Sequence, residues 1–207
     1  MKTRKIIICV VLILPLFLFA IACENEPAIE TIEWELDGSG FRQFETNDPE
    51  NLMTYWYYWI VASYQDPSTS FTVEAEVKKL SGCPGWGADI MFCFQDPNNF
   101  YELGICTTGY YTVWKLVNGN WSMIIDWTFS SYLNIGYNVI NNLKVMYDGS
   151  NTFTIYLNGT NVDNFTDSSL SGGYVGYIVF IADESCEKFP DEPVDVRFKL
   201  IQPVTDP

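Results

Sequence analysis

From residue 71 onward the chain alternates between apolar and polar side chains in short runs, each cut off by turn residues, and this rhythm narrows the fold more than any single motif does. The runs are "FTVEAEVKKL" (71–80), "ADIMFCF" (88–94), "FYELGIC" (100–106), "YYTVWKLV" (110–117), "WSMIIDW" (121–127), "NLKVMYD" (142–148), "TFTIYL" (152–157), "GYVGYIVFIA" (173–182) and "VDVRFKLI" (194–201). A period of two marks extended strands, and no segment holds a 3.6-residue helical period for long. Between the runs stand Asp96-Pro97-Asn98-Asn99, Asn118-Gly119-Asn120, Asp148-Gly149-Ser150-Asn151 and Asn158-Gly159. Asn and Gly tolerate the positive φ angles that tight hairpins require. With nothing helical to cover a parallel sheet, the spacing predicts an all-β fold, an antiparallel two-sheet jelly-roll sandwich. "LMTYWYYWIVASY" (52–64) is read as a further strand. The expected organisation is a leader over 1–22, a spacer with an irregular first strand over 23–51, and the sandwich over 52–207.

The leader shows in the first residues, where Lys2, Arg4 and Lys5 precede an apolar run from Ile6 to Ala22 that contains Pro15 and ends on small residues. At about 17 residues this run sits at the lower limit for a bilayer span, and its pattern suits export and cleavage. Ala20-Ile21-Ala22-Cys23 resembles a bacterial lipobox, which makes Cys23 the expected lipidation site. The expected place of the protein is the bacterial cell envelope, periplasmic or outer-surface, held to the membrane by lipid alone. The formal charge of −15 falls to about −18 once the three basic residues of the leader are lost. A polyanion is repelled by such a chain, so nucleic acid is not expected as a partner, and anionic lipid is repelled in the same way. There is no histidine. Its absence excludes Ser-His-Asp and Cys-His nucleophiles and the usual zinc sets, and leaves carboxylates, Tyr and Lys as proton carriers.

Charge also suggests one strand pairing. Laid antiparallel, "FTVEAEVKKL" and "VDVRFKLI" match Glu76 with Arg197, Glu74 with Lys199 and Lys78 with Asp195, and set Ala75 opposite Phe198 on the other face. That register brings the loops after Lys79 and before Val194 together, and makes Cys83 and Cys186 an expected disulfide. Cys93 and Cys106 are read as buried thiols, or as partners across the sheet if a bulge intervenes.

From Asn99 onward the succession "NFYELGI", "GYYTVWKLVNGNWSMIIDW", "NNLKVMYDGSNTFTIYLNG" and "GGYVGYI" resembles the concanavalin A-like lectin/glucanase superfamily over about residues 70–201. Within it the chain looks most like bacterial laminin-G-like jelly rolls, including the 3-keto-disaccharide hydrolase-like group. The resemblance implies a sugar-directed or protein-binding module, and it concerns fold far more than ligand. The E-x-D-x-E strand of the superfamily's laminarinase-type hydrolases is absent. Glu74 and Glu76 share a face, but basic partners across the expected register would lower their pKa values, whereas a general acid needs its pKa raised. Laminin-G-like domains often hold calcium at a loop rim. By that likeness the acidic segment 182–195 offers Asp183, Asp191 and Asp195 as hard oxygen ligands, with calcium the one cofactor considered.

The rings carry the remaining signal. Alternation assigns Tyr111, Val113 and Lys115 to one face and Tyr110, Thr112, Trp114 and Leu116 to the other. Trp127, Phe92, Phe94, Phe153 and Phe198 are expected in the core. Trp86, in the Gly-rich loop "CPGWGAD", and Tyr110, Trp114 and Trp121 are candidate stacking rings for a pyranose, with amides and carboxylates nearby for its hydroxyls. The function expected is a non-catalytic, lectin-like domain that binds a glycan or a glycosylated surface. The rivals are a hydrolase acting on oxidised disaccharides through carboxylates, and a protein-binding or structural envelope lipoprotein.

Overall fold

The computed structural model of the chain describes residues 35–36, 41–46, 57–65, 69–82, 84–85, 88–180 and 194–202. Their strands are β1 (Glu35–Leu36), β2 (Arg42–Thr46), β3 (Tyr57–Gln65), β4 (Phe71–Ser81), β5 (Ala88–Asp96), β6 (Asn99–Ile105), β7 (Tyr110–Val117), β8 (Asn120–Phe129), β9 (Asn141–Tyr147), β10 (Thr152–Leu157), β11 (Thr160–Thr166), β12 (Gly173–Phe180) and β13 (Val194–Gln202). Every pairing is antiparallel. A seven-stranded sheet runs β1-β2-β13-β4-β9-β10-β11, and a six-stranded sheet runs β3-β12-β5-β6-β7-β8. The larger sheet thus extends back to residue 35. Hairpins form where the sequence places Asn-Gly: Asn118 and Gly119 have φ of 51° and 74°, and Asn158 and Gly159 have 48° and 82°. Positive φ at both central residues is the geometry that matches strand twist in a two-residue loop.

The first and last regular strands are neighbours as charge suggested, but two residues out of the expected register. Phe198 lies opposite Val77, Lys199 opposite Glu76, and Arg197 opposite Lys78, with an extra residue in β4 where the register shifts between Asp195 and Val196 and one in β13 between Leu200 and Gln202. A slip of two preserves which side chains face inward, so the core does not resist it. Exposed ion pairs contribute only about 0.2–1 kcal/mol each and cannot set the alignment against packing. The charges find other partners. Glu74 pairs with Lys144 of β9 at 3.1 Å and accepts from Asn142 Nδ2 at 2.9 Å. Arg197 turns to Asp195 on its own strand at 3.2 Å. Lys78 and Lys199 lie over the ring of the buried Phe41, 5.2 and 5.8 Å from its centre.

Between the sheets lies one layer of rings. Phe153 of β10 stacks on Phe165 of β11 at 4.8 Å and meets Phe92 of β5 and Tyr101 of β6 at 5.6 and 5.3 Å, while Tyr177 of β12 stacks on Phe198 of β13 at 4.6 Å. Burying rings of this size supplies the main driving force for joining the two layers. Polar ties reinforce them. Tyr101 Oη donates to Asp167 at 2.7 Å, and Lys115 Nζ donates to the other oxygen of the same carboxylate. Burial alone would raise the pKa of Asp167, but Lys115, Ser169 and Tyr101 outweigh it and hold the group at about 2.

Two expected core rings are elsewhere. Trp127 is half-buried. Phe94 is buried, but on the outer face of the six-stranded sheet, in a separate cluster with Met91, Phe100, Leu116 and Ile178. The cause is a bulge: Cys93 takes φ of 51° and the β5–β6 register breaks after Phe92, so Phe92 and Cys93 both join the core and Phe94 turns outward. Cys93 and Cys106 are both buried free thiols. Burial pushes the Cys93 thiol up to about 12, which leaves it unreactive.

Candidate functional site

The outer face of the six-stranded sheet is built from three cross-strand rows. The first runs from Tyr174 on β12 through Phe94 and Phe100 to Leu116 on β7 and Trp121 on β8. The second is Gly176, Met91, Glu102, Trp114 and Met123, and the third is Ile178, Asp89, Gly104 and Thr112. Each residue of a row lies on the same face as its neighbour because directly opposed residues in an antiparallel pair share a side.

The first row is an aromatic strip that goes from buried to wet. Phe94 and Phe100 are 6.0 Å apart, Phe100 meets Trp121 edge-on at 5.5 Å, and Trp121 meets Trp114 edge-on at 6.4 Å. Trp121 is 39% exposed, Tyr174 45%, and Trp114 half-buried. Edge-to-face contact fixes both indoles while leaving part of Trp121 in solvent. The two hairpin turns at this end are tied to each other: Gly119 N donates to Asn98 O at 3.1 Å, and Asn118 N to Asn99 Oδ1 at 2.9 Å. Tyr110 shares this face but stands at the far end of β7, about 13 Å from Trp114 by strand rise, where it packs edge-on against Phe129. The structure therefore joins Trp114 and Trp121 and leaves Tyr110, which is 41% exposed, apart from them.

Behind the strip lie two carboxyls that the periodicity argument did not single out. Asp89 and Glu102 are each 1% exposed, and Asp89 Oδ2 and Glu102 Oε2 have no hydrogen-bond partner. Asp89 sits opposite Gly104, and its carboxyl fills the space where a side chain there would go: a Cβ on Gly104 would lie 2.8 Å from Asp89 Oδ2. Glu102 is two residues along β6 from Gly104, so the acids meet diagonally. Burial raises Asp89 to about 7, although Lys79 and the backbone N–H groups of Ile105 and Ala88 pull it down. Burial, and then the Asp89 charge, push Glu102 well above its ordinary range. The sequence did hold a signal for both, since each is the one acid in an otherwise apolar strand core, "ADIMFCF" and "YELGI".

The other expected site residues are dispersed. Glu74 belongs to the opposite sheet, where Lys144 and Asn142 hold it. Asp195 is in β13 and accepts from Arg197 Nε and Nη2. Among the described residues no group of three or more Asp, Glu, Cys or His is placed to hold a metal ion. Cys23, Cys83, Trp86, Asp183, Cys186 and Asp191 lie outside the described residues.

No protein-family model matches the sequence, and no curated protein matches it. Solved structures do share its architecture. A carbohydrate-binding module, CBM66 from Bacillus subtilis, is 23% identical over 70% of this chain and 80% of that one, with a TM-score of 0.55. The β-glucanase of Bacillus licheniformis is 12% identical over 79% of this chain and 78% of its own, with a TM-score of 0.52. The binding domain of botulinum neurotoxin DC, solved in complex with SialylT, is 14% identical over 81% of this chain and 39% of that one, at 0.50. The likeness is one of fold, and this chain has the two-sheet concanavalin A-like jelly-roll fold.

Proposed function

We propose that the protein is an exported, lipid-anchored carbohydrate-binding protein that holds a glycan on the outer face of the six-stranded sheet without altering it. The observation that carries this reading is the Trp114–Trp121 pair, one ring half-buried and the other 39% exposed, held edge to face on the outer side of the six-stranded sheet. An indole face meets the axial C–H groups of a pyranose. The likeness in fold to a carbohydrate-binding module supports the reading as analogy. Calorimetric titration with a panel of neutral oligosaccharides tests it. A Trp121→Ala protein should bind roughly tenfold or more weakly, about 1–3 kcal/mol, with its circular dichroism spectrum unchanged. A wild type that binds no saccharide at millimolar concentration contradicts the proposal.

A second reading has one observation in its favour. Asp89 and Glu102 are two carboxyls on the proposed sugar face whose affinity for a proton burial raises, and a glycosidase's general acid needs a raised pKa. Their burial argues against it, because an attacking water needs access to one of them. Release of reducing sugar by the wild type and its loss in Glu102→Gln would favour hydrolysis over binding.

A further inference from the structure

From Trp127 to Leu143 this acidic chain has no Asp, Glu, Lys or Arg. The stretch leaves β8 and loops to β9, and it shows large apolar side chains to water. Phe129, Tyr132 and Ile135 are each more than half exposed, and Tyr137, Ile140 and the nearby Tyr110 are exposed as well. Tyr110 meets Phe129 at 5.5 Å, and a Cβ on Gly109 would stand 3.0 Å from Ile135 and 3.2 Å from Phe129, so these side chains close over Gly109 as one patch. The backbone beneath is pinned. Ser130 N donates to Gly109 O at 2.9 Å, Gly136 N to Thr107 O at 2.8 Å and Asn138 N to Lys79 O at 2.7 Å, while Asn134 and Asn141 bond each other's backbone. A rigid, uncharged patch of this kind marks a contact surface. Strand directions show where the chain arrives. Glu35 lies opposite Gln43 and Leu36 opposite Arg42, so β1 runs away from the end at which β2 closes on Thr46. Thr46 faces Val194, and Asp195 faces Ser81. Ser81 is next to Gly82, whose carbonyl accepts from Tyr137 Oη. The chain therefore enters β1 from the end of the sandwich that carries the patch.

Resting on the lipid-anchored reading, we infer that the patch is a foot that sits in the interface of the bilayer holding Cys23 and stands the sandwich upright on it. The spacer from Cys23 to Glu35 spans at most about 40 Å. A tether this short holds the patch near the membrane at an effective concentration on the order of millimolar, so a contact too weak to hold the protein alone suffices to orient it. Tyrosines suit the place, with rings among the upper acyl chains and hydroxyls among the headgroups. The net charge of −15 opposes anionic lipid, so the headgroups that fit are zwitterionic. Trp121 and the Asn118-Gly119 turn lie at the other end of β7 from Tyr110, roughly 20 Å away by strand rise, so an upright domain turns the proposed sugar strip away from the membrane.

Quenching by lipid with brominated acyl chains tests the inference. The full chain, expressed with its leader and purified in detergent, is reconstituted into phosphatidylcholine vesicles with and without the brominated lipid. Two variants each add one indole, Ile135→Trp on the patch and Asn98→Trp on an exposed turn at the other end, and the added emission is read as the difference from wild type. Bromine should quench the indole at 135 roughly threefold or more as strongly as the one at 98, with a blue shift at 135 alone. Tyr132→Ser/Ile140→Ser in the Ile135→Trp background should bring its quenching down to that of Asn98→Trp. Equal quenching at 135 and 98 overturns the foot and leaves the lipid anchor standing. A blue shift at 135 without bromine quenching also overturns it, since the patch is then covered by a second copy of the chain. A wild type that does not stay with the vesicles removes the anchor and the foot together.

Discussion

Asp89 and Glu102 are costly residues for a fold to keep. Each hides an unpaired carboxyl oxygen, a defect of about 1–3 kcal/mol per group that an amide of the same shape would lessen. Their titration gives a signed test. Asp89 moves from near 3.8 unfolded to about 7 folded, so the native state binds the extra proton between those values. Stability contributed by this group is greatest below about pH 4 and declines as pH rises to 7, and Glu102, raised in the same direction, adds to the decline. Thermal unfolding of Asp89→Asn and Glu102→Gln across pH 4–8 should show variants that match or exceed the wild type at pH 8 and have a flatter profile. A steeper profile in the variants would show that the acids are satisfied in a way the structure does not contain. Composition and alternation made the aromatic candidates legible, and Trp121, placed at a strand start after a turn, is partly wet as that position suggests. The acids were not legible as a pair, because their meeting depends on Asp89 falling opposite Gly104, and a register cannot be read from one strand alone.

At the scale of elements, the bulge at Cys93 decides which rings reach the site. By moving Phe94 to the outer face, it starts the strip that ends at Trp121. Gly173 permits the bulge: its φ is 105°, and a Cβ there would stand 2.5 Å from Phe94 O. Gly173→Ala should therefore destabilise the protein by roughly 1–3 kcal/mol, read as a lower urea midpoint, and weaken glycan binding as the strip is displaced. Unchanged stability would mean that β12 and β5 can separate without cost. The hairpins were readable because Asn118-Gly119 and Asn158-Gly159 carry their backbone geometry in their identity. The β4–β13 register was not, since surface charge was the only guide and packing is indifferent to a slip of two.

For the molecule as a whole, the fold class followed from periodicity, while attachment to the envelope is argued from the leader alone. A chain of net charge −15 is repelled by anionic lipid, so membrane association should depend on one residue. Expressed with its leader in a bacterial host, the wild type should partition into the detergent phase of a Triton X-114 separation, and Cys23→Ser should move to the aqueous phase. Partitioning that does not change would place the anchor elsewhere. The central claim is that the outer face of the six-stranded sheet is the binding surface, and the indole N–H signals of a 15N-labelled sample report on it directly. Titrated with an oligosaccharide that binds, the resonances of Trp114 and Trp121 should shift together and saturate at the calorimetric affinity, while that of Trp127 stays in place. Saturable binding that leaves both Trp114 and Trp121 unmoved would contradict the account.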